Sequence, residues 1–346
     1  MRPTVDFAAC PASIGRMVGP PRILVLATGG TIAGEASARG ATGYDSGARA
    51  GAALVAAVPG LDVVADLRVE QVASIGSQDM TDAVQIALAR RLRDAFSRGE
   101  ADGAVVIHGT DTMEETAFLL DLHHDDDAPV VVTGAMRPAT ALSADGPANI
   151  RDAVTVAASR RARGRGVLIA MNGTLHAARF ATKTDTTDVG TFRSPLAGPV
   201  GHVDAAHLRF TTPPRGPGDT LPLPTAPLPR VDIVTAHAGM DGALIEAAVA
   251  AGARGIVLAG VGGGNASRAA LEALSGASAA GILAIRSTRS GSGLVNRNVE
   301  VDDDALGLVA SLDLNPPKAR VLAQLLIAAG ITDPSDVQDR FSNGLR

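Results

Sequence analysis

Hydrophobic positions along the chain follow two alternating patterns. Short runs that are apolar on both faces, at residues 23–27 (ILVLA), 104–107 (AVVI), 130–133 (VVVT) and 167–170 (VLIA), predict buried strands of a parallel sheet covered on both sides. Between them lie longer stretches with helical spacing. Residues 81–96 place Val84, Leu88, Leu92 and Ala95 on one face, with Arg90, Arg91 and Arg93 mostly elsewhere. Thr112 to Glu115 (TMEE) has the form of a capping box, opening a helix through 117–122. The alternation predicts an α/β fold, doubly wound.

The pattern breaks at 213–229, where seven prolines and two glycines predict an extended linker. It resumes with strands at 231–235, 255–259 and 281–285 and a helix over 243–251. A last helix starts at Pro316 and Pro317 and ends before Gly330. The expected organisation is a poorly ordered N-terminal extension over 1–21, then a larger N-terminal α/β domain over 22–212 with a mostly parallel sheet flanked by helices. The Pro-rich linker over 213–229 then joins it to a smaller C-terminal α/β domain over 230–346. There is no internal repeat at solenoid spacing.

Composition narrows the function classes. Hydrophobic residues make up 46% of the 346 positions, too many for wholesale disorder. Aromatic residues are only 2%, so the core must be built from Val, Leu, Ile and Ala, and there is no stacking platform for single-stranded nucleic acid. A net charge of −5 argues against duplex DNA and anionic membrane surfaces as partners. The single cysteine, Cys10, excludes an internal disulfide framework and a Cys-rich zinc site. Charge-free stretches such as 255–267 and 273–285 run to about 13 residues, short of the ~20 that a span requires. The first 22 residues contain Asp6 and lack the apolar segment of a secretory signal, so the expected compartment is the cytoplasm.

Three strand-to-loop junctions carry candidate chemistry: ATGGTIAG (27–34), IGSQD (75–79) and HGTDT (108–112). In a parallel sheet all three lie at the carboxyl edge of strands, where open α/β proteins hold their ligands. The first is neither the dinucleotide-binding G-x-G-x-x-G pattern nor a P-loop. Thr110 and Asp111 are residue types common at helix starts. With Thr112 assigned to the cap, however, these two have no structural task. Tyr44, the sole tyrosine, sits in a Gly/Ala/Ser-rich stretch thirteen residues past Thr31, and Lys183 lies in the polar run TKTDTTD (182–188). An exposed lysine is the ordinary reading of such a run. Threonine, though, is a poor nucleophile unless a neighbour takes its proton, and a Tyr or Lys base would meet that need. Two further clusters, HHDDD (123–127) and Asp302 to Asp304, read as solvated turns, because consecutive side chains rarely converge on one ion.

On these motifs the chain resembles the bacterial-type L-asparaginase family (the asparaginase/glutaminase amidohydrolases) from about Arg22 to its C-terminus. ATGGTIAG and HGTDTMEETAFLL (108–120) match the family signatures nearly letter for letter. GSQDM (76–80), GAMRP (134–138), SADGP (143–147), the run around Lys183, AGVGGGN (259–265) and EVDD (300–303) follow in order. The resemblance implies Thr31 as nucleophile, Tyr44 as its mobile-loop activator, and Thr110, Asp111 and Lys183 as a second catalytic group. It implies that Gly30, Gly76, Ser77, Gln78 and Asp111 hold the substrate's α-carboxylate and α-ammonium. Asn265 and Glu300 resemble residues that the family contributes from a neighbouring subunit, in a homotetramer. No metal or organic cofactor is implied. The expected reaction is hydrolysis of L-asparagine to L-aspartate and ammonia. Alternatives are a broad-specificity glutaminase-asparaginase, the amidase subunit of a tRNA-dependent amidotransferase, and a non-catalytic amino-acid-binding protein on the same scaffold. The amidotransferase subunit carries an extra N-terminal domain, and with about 22 residues ahead of the first strand it is not the expected reading. The chain departs from some members by reading Gly263-Gly264-Asn265 where they have Asn-Gly-Asn, and its stretch 35–43 is rich in Ala and Gly.

Overall fold

The computed structural model describes residues 19–36, 44–45, 49–216, 220–225 and 227–343. In chain order the first body contains β1 (Arg22–Gly29), β2 (Glu35–Ala36), β3 (Tyr44–Asp45), α1 (Gly51–Ala56), α2 (Leu61–Val64), β4 (Asp66–Ile75), α3 (Asp82–Ser97) and β5 (Gly103–Ile107). It continues with α4 (Met113–His123), β6 (Val130–Thr133), α5 (Gly146–Ala157), β7 (Val167–Met171), β8 (Thr174–Ala177), the ribbon β9 (Thr182–Lys183) with β10 (Phe192–Arg193), β11 (Gly201–Val203) and β12 (Leu208–Phe210). The large sheet runs β12-β11-β8-β7-β6-β5-β1-β4. Five strands, β4, β1, β5, β6 and β7, are parallel; β8, β11 and β12 extend the sheet antiparallel. Numbered by their order in the chain, the parallel strands read 2-1-3-4-5. The connections therefore reverse direction between β1 and β5, and the crevice at a carboxyl edge opens at that switch point.

The double-sided apolar runs fill both faces. Leu24, Leu26, Ala104, Val106, Val130 and Val132 point to the side of α3 and α4; Ile23, Val25, Val105, Ile107 and Val131 point to the side of α1 and α5. Period-2 alternation on strands that are buried throughout makes both sets core.

The second body contains β13 (Val231–Thr235), α6 (Ala243–Ala250), β14 (Gly255–Gly260), α7 (Arg268–Ala279), β15 (Leu283–Thr288), α8 (Asp303–Leu306), β16 (Val309–Ala310), α9 (Pro316–Ala328) and α10 (Pro334–Asn343). Its sheet is parallel in the order β13-β14-β15-β16. The architecture is thus two α/β domains, the larger with a mostly parallel sheet. A single apolar cluster crosses from one to the other, joining Leu119 and Leu122 of α4 to Leu322, Leu325 and Leu326 of α9 and to Val257 and Ile285.

Several local expectations are corrected. The TMEE capping box does not form: Thr112 makes no cap bond, and its hydroxyl donates to Ser77 O at 2.8 Å. The Pro-rich segment carries no helix or strand in its described residues. It does not hang free, for the Leu221 N–H bonds Leu122 O at 2.8 Å and Arg215 pairs with the buried Asp121. His123 is buried against Leu221 O rather than solvated, and Asp303 is fully buried on Arg286. Residues 1–18, including Cys10, lie outside the described residues. Among the described residues no helix is long and apolar enough to cross a membrane.

Candidate active site

The crevice is assembled from glycines. Gly30 has φ +83°, a left-handed conformation that favours glycine, and its N–H bonds Ile75 O at 2.8 Å, tying the loop after β1 to the end of β4. A Cβ on Gly30 would overlap the Cα of Gly109, and one on Gly109 would lie 2.6 Å from Ser77 Oγ. The first junction therefore meets the third backbone to backbone, and the second reaches the third through the small Ser77 side chain. Thr31 and Thr110 each stand one residue beyond that contact. Thr31 opens a single 3-10 turn (Thr31–Ala33) and is half-buried, its loop anchored by the buried Ile32 and Ala33.

Ser77, buried, locks the second junction to the third. Its Oγ accepts from the Asp111 N–H at 3.1 Å while its carbonyl takes the Thr112 hydroxyl. This fixes the backbone of Asp111 and leaves its carboxylate exposed. Lys183 arrives from β9, 73 positions after Thr110. Its Nζ donates to Thr110 Oγ1 at 2.9 Å and to Asp111 Oδ1 at 2.6 Å. The lysine side chain is 18% exposed and the aspartate 59%, so the ion pair faces the opening while the threonine hydroxyl lies behind it. A hydroxyl on an ammonium that a carboxylate also contacts can pass a proton or hold developing charge.

His108, fully buried, turns Nδ1 to Gly109 O at 2.6 Å, and burial drives its imidazole down to about 4, so it is neutral at physiological pH. Gln78 shares the 3-10 turn of Ser77, is exposed, and hydrogen-bonds Asp79. Gly76 lies so close that a Cβ there would strike the Gln78 amide. Tyr44 enters only through its backbone, paired with Ala36 in the β2–β3 ribbon; its side chain lies outside what is described.

Asn265 and Glu300 are brought to each other. The Asn265 Nδ2 donates to Glu300, and among the described residues no hydrogen bond or ion pair joins the two to the Thr110 group. Both ride on loops clamped by Arg286, a guanidinium 1% exposed. It holds Asp303 at 2.5 and 2.7 Å and donates to the carbonyls of Gly263, Gly264 and Asn296. Of the sequence-designated residues, Gly30, Gly76, Ser77, Gln78, Thr31, Thr110, Asp111 and Lys183 thus belong to the carboxyl-edge loops or the ribbon bonded to them.

Sequence reasoning missed Glu114, Asn315 and Arg286. Glu114, read only as a member of the TMEE cap, accepts the backbone N–H of Lys183 at 2.8 Å and the Asn315 amide at 2.9 Å. An Asn directly before two prolines is an N-cap signal, and it marks Asn315 as ordered but gives no hint of its partner. Among the described residues no group of three His, Cys, Asp or Glu side chains is set to hold a metal ion.

Family models account for nearly all of this frame. "Asparaginase, N-terminal" matches residues 22–215 and "Glutaminase/Asparaginase C-terminal domain" matches residues 230–341. The chain is similar to L-asparaginase 2 of Escherichia coli, 43% identical over 332 residues covering 95% of this chain and 94% of that protein. It is 42% identical to the probable periplasmic L-asparaginase of Haemophilus influenzae over 96% of this chain and 95% of that one. With the glutaminase-asparaginase of Pseudomonas fluorescens the identity is 37% over 92% and 89%. Two domains matched in order, and relatives this close along almost their whole lengths, settle the membership that the glycine-built crevice already pointed to: the chain belongs to the asparaginase family.

Proposed function

We propose that the protein hydrolyses the side-chain amide of L-asparagine, giving L-aspartate and ammonia through an ester on Thr31. The observation that carries this reading is the contact of Lys183 Nζ with Thr110 Oγ1 and Asp111 Oδ1, one residue from where Gly109 packs on the loop of Thr31. Thr31 Oγ attacks the amide carbon, its proton passing to Tyr44 as base. The C–N bond breaks as nitrogen takes a proton and leaves as ammonia. Water, oriented by the Thr110–Lys183–Asp111 group, then adds to the ester carbon, and Thr31 regains its proton as aspartate departs. The exposed Asp111 carboxylate and the donors of the Ser77–Gln78 turn suit the substrate's ammonium and carboxylate.

Asn265 and Glu300 fit a role in a neighbouring subunit's site, because Arg286 clamps their loops and, among the described residues, no hydrogen bond or ion pair ties them to Lys183. The proposed assembly is a homotetramer, which light scattering would report as about four times the monomer mass; a fully active monomer would exclude the shared site. A cytoplasmic location would set the chain apart from the Haemophilus relative, whose name carries the periplasm. Fractionation that recovers it with periplasmic markers would reverse that placement.

The primary test is ammonia release from L-asparagine and L-glutamine side by side, with Thr31→Ala as the blank. Asparagine turnover that vanishes in the variant is the expected result. The Pseudomonas relative keeps glutaminase-asparaginase activity as a second reading, and the ratio of the two rates decides it, since one methylene is worth only ~1–3 kcal/mol in a pocket. No turnover of either amide by folded parent protein would favour a non-catalytic binder.

A further inference from the structure

The segment that delivers Lys183 is held from the other domain. Arg179 makes a two-pronged pair with Asp313 at 2.8 and 2.7 Å. Lys318, 2% exposed, donates from Nζ to Arg179 O at 2.9 Å and to Ala181 O. Asn315 donates from Nδ2 to Glu114 Oε1 at 2.9 Å and lies 3.4 Å from Thr182 Oγ1, while Glu114 Oε2 receives the Lys183 N–H at 2.8 Å. The partners of Arg179, Ala181 and Thr182 thus include Asp313, Asn315 and Lys318, at or just before the first turn of α9. Asn315 is itself fixed, for its Oδ1 caps that helix through the Lys318 N–H at 3.2 Å. Glu114, only 8% exposed, uses one oxygen for each side of the domain boundary.

We propose that Asn315, acting through the Glu114 carboxylate, is a positioning residue that sets where the Lys183 ammonium meets Thr110. A carboxylate that bridges a backbone N–H and a fixed side-chain amide cannot swing, so the Lys183 Cα is pinned while its side chain reaches forward. Alanine-rich neighbours offer little else: Ala178 and Ala181 are buried but supply no polar contact from their side chains. The assignment rests on Lys183 taking part in the reaction.

Asn315→Asp is the test. Aspartate caps a helix as well as asparagine does, so α9 keeps its start. The donor to Glu114, however, becomes a second carboxylate, and two such groups share one proton with one of them titrating abnormally high. Glu115 and Lys318 interact electrostatically with Glu114, and Arg320, Asp82, Arg179, Asp313 and Lys183 surround that set, all common to parent and variant. At pH 8 the expected result is a kcat roughly 10- to 100-fold lower with KM for asparagine nearly unchanged, the size of effect that a small misplacement produces. The deficit should narrow as pH falls from 8 to 5 and the shared proton restores a donor. Asn315→Ser, which retains a capping hydroxyl but cannot reach Glu114, should show the kcat loss without the recovery, and it serves if the aspartate variant fails to fold. A kcat and pH profile matching the parent in folded Asn315→Asp, or in folded Asn315→Ser if only that variant folds, would overturn the proposal. Lys183→Met run alongside separates the two levels. If it stays active the catalytic reading itself fails; if it is dead while the Asn315 variants are normal, only the positioning claim does.

Discussion

Replacing Lys183 by methionine separates chemistry from stability, and the structure sets both magnitudes. On the stability side, the variant removes one charge-assisted hydrogen bond to the buried Thr110 Oγ1 and one ion pair to Asp111. The unpartnered hydroxyl costs about 1–3 kcal/mol. The ion pair, with its carboxylate 59% exposed, is worth only ~0–1 kcal/mol after solvent screening. The main-chain bond from Lys183 N to Glu114 survives the substitution. At ~2–4 °C per kcal/mol for a protein of this size class, the melting temperature should fall by no more than roughly 15 °C, leaving a folded enzyme at 25 °C. On the chemical side, a positioned proton donor or acceptor contributes about 10²–10⁴-fold, or ~3–5 kcal/mol of barrier.

The assay is steady-state ammonia release alongside thermal unfolding, at fixed protein concentration so that assembly is held constant. Lys183→Arg refines it. Arginine keeps the positive charge and the donors but stays protonated, so it can stabilise charge at Thr110 yet cannot accept a proton there. An arginine variant as inactive as methionine assigns Lys183 to proton transfer; one that regains most of kcat assigns it to electrostatics. A methionine variant whose kcat stays within about tenfold of the parent, with the fold intact, would remove Lys183 from the chemistry and take the Thr110–Asp111 arrangement with it.

Arg286→Met should destabilise by about 3–5 kcal/mol, since it strands the fully buried Asp303 carboxylate, and the double variant with Asp303→Leu should recover part of that loss. Denaturant midpoints check this, and an unchanged midpoint in the single variant would show that the pair carries no such weight. Asp152 tests pH dependence: burial, with Asp204 nearby and Arg151 opposing, raises its carboxyl to about 6, above the usual 3.8. The folded state then holds a proton that the unfolded chain has lost between pH 3.8 and 6, so stability falls as pH rises through that window. Asp152→Asn should raise the melting temperature more at pH 8 than at pH 4; an equal shift at both would refute the assigned titration.

Much of the frame was legible because its signals are local. Runs such as ILVLA and VVVT need no partner to declare themselves buried strands, and Thr81 caps α3 with its own side chain, accepting from the Val84 N–H, at the place where the helical periodicity begins. Where tertiary contacts compete, the reading failed. Thr112 has every local attribute of a cap, but Ser77 O, 35 residues upstream, takes its hydroxyl instead. The β8–β11–β12 extension is made of short strands holding His and Thr, without a sustained apolar run. The helix α10 buries little more than Val337 and Phe341 on an otherwise polar surface, too narrow a stripe to stand out. Asp303 and His123 sit in acidic or polar runs that look solvated, and only the arrival of Arg286 and of Leu221 O makes burial affordable. The candidate residues now grouped around Lys183 were flagged by motif and not by spacing, since Lys183 and Thr110 are 73 positions apart and Glu114 and Asn315 are 201 apart.

Those two long-range pairs also bear on how the enzyme can move. Domains joined by a linker are expected to shift relative to each other unless their interface is large and apolar. Here one apolar cluster passes from α4 into α9 and β14, and the polar bridge of Glu114 with Asn315 sits at the edge of that seam, directly behind Lys183. A hinge at 213–229 would have to open this core and break the Glu114–Asn315 bond that fixes the carboxylate behind the Lys183 backbone. The segment itself is tied down through Leu221 and Arg215. The C-terminal domain thus carries two buried clamps: Lys318 and Asn315 at the start of α9 hold the segment 179–182 and Glu114, and Arg286 holds the loops of Asn265 and Glu300. Each clamp is built on a buried charge with its partners in place, Lys318 on two carbonyls and Arg286 on Asp303, so neither can release its segment without stranding that charge.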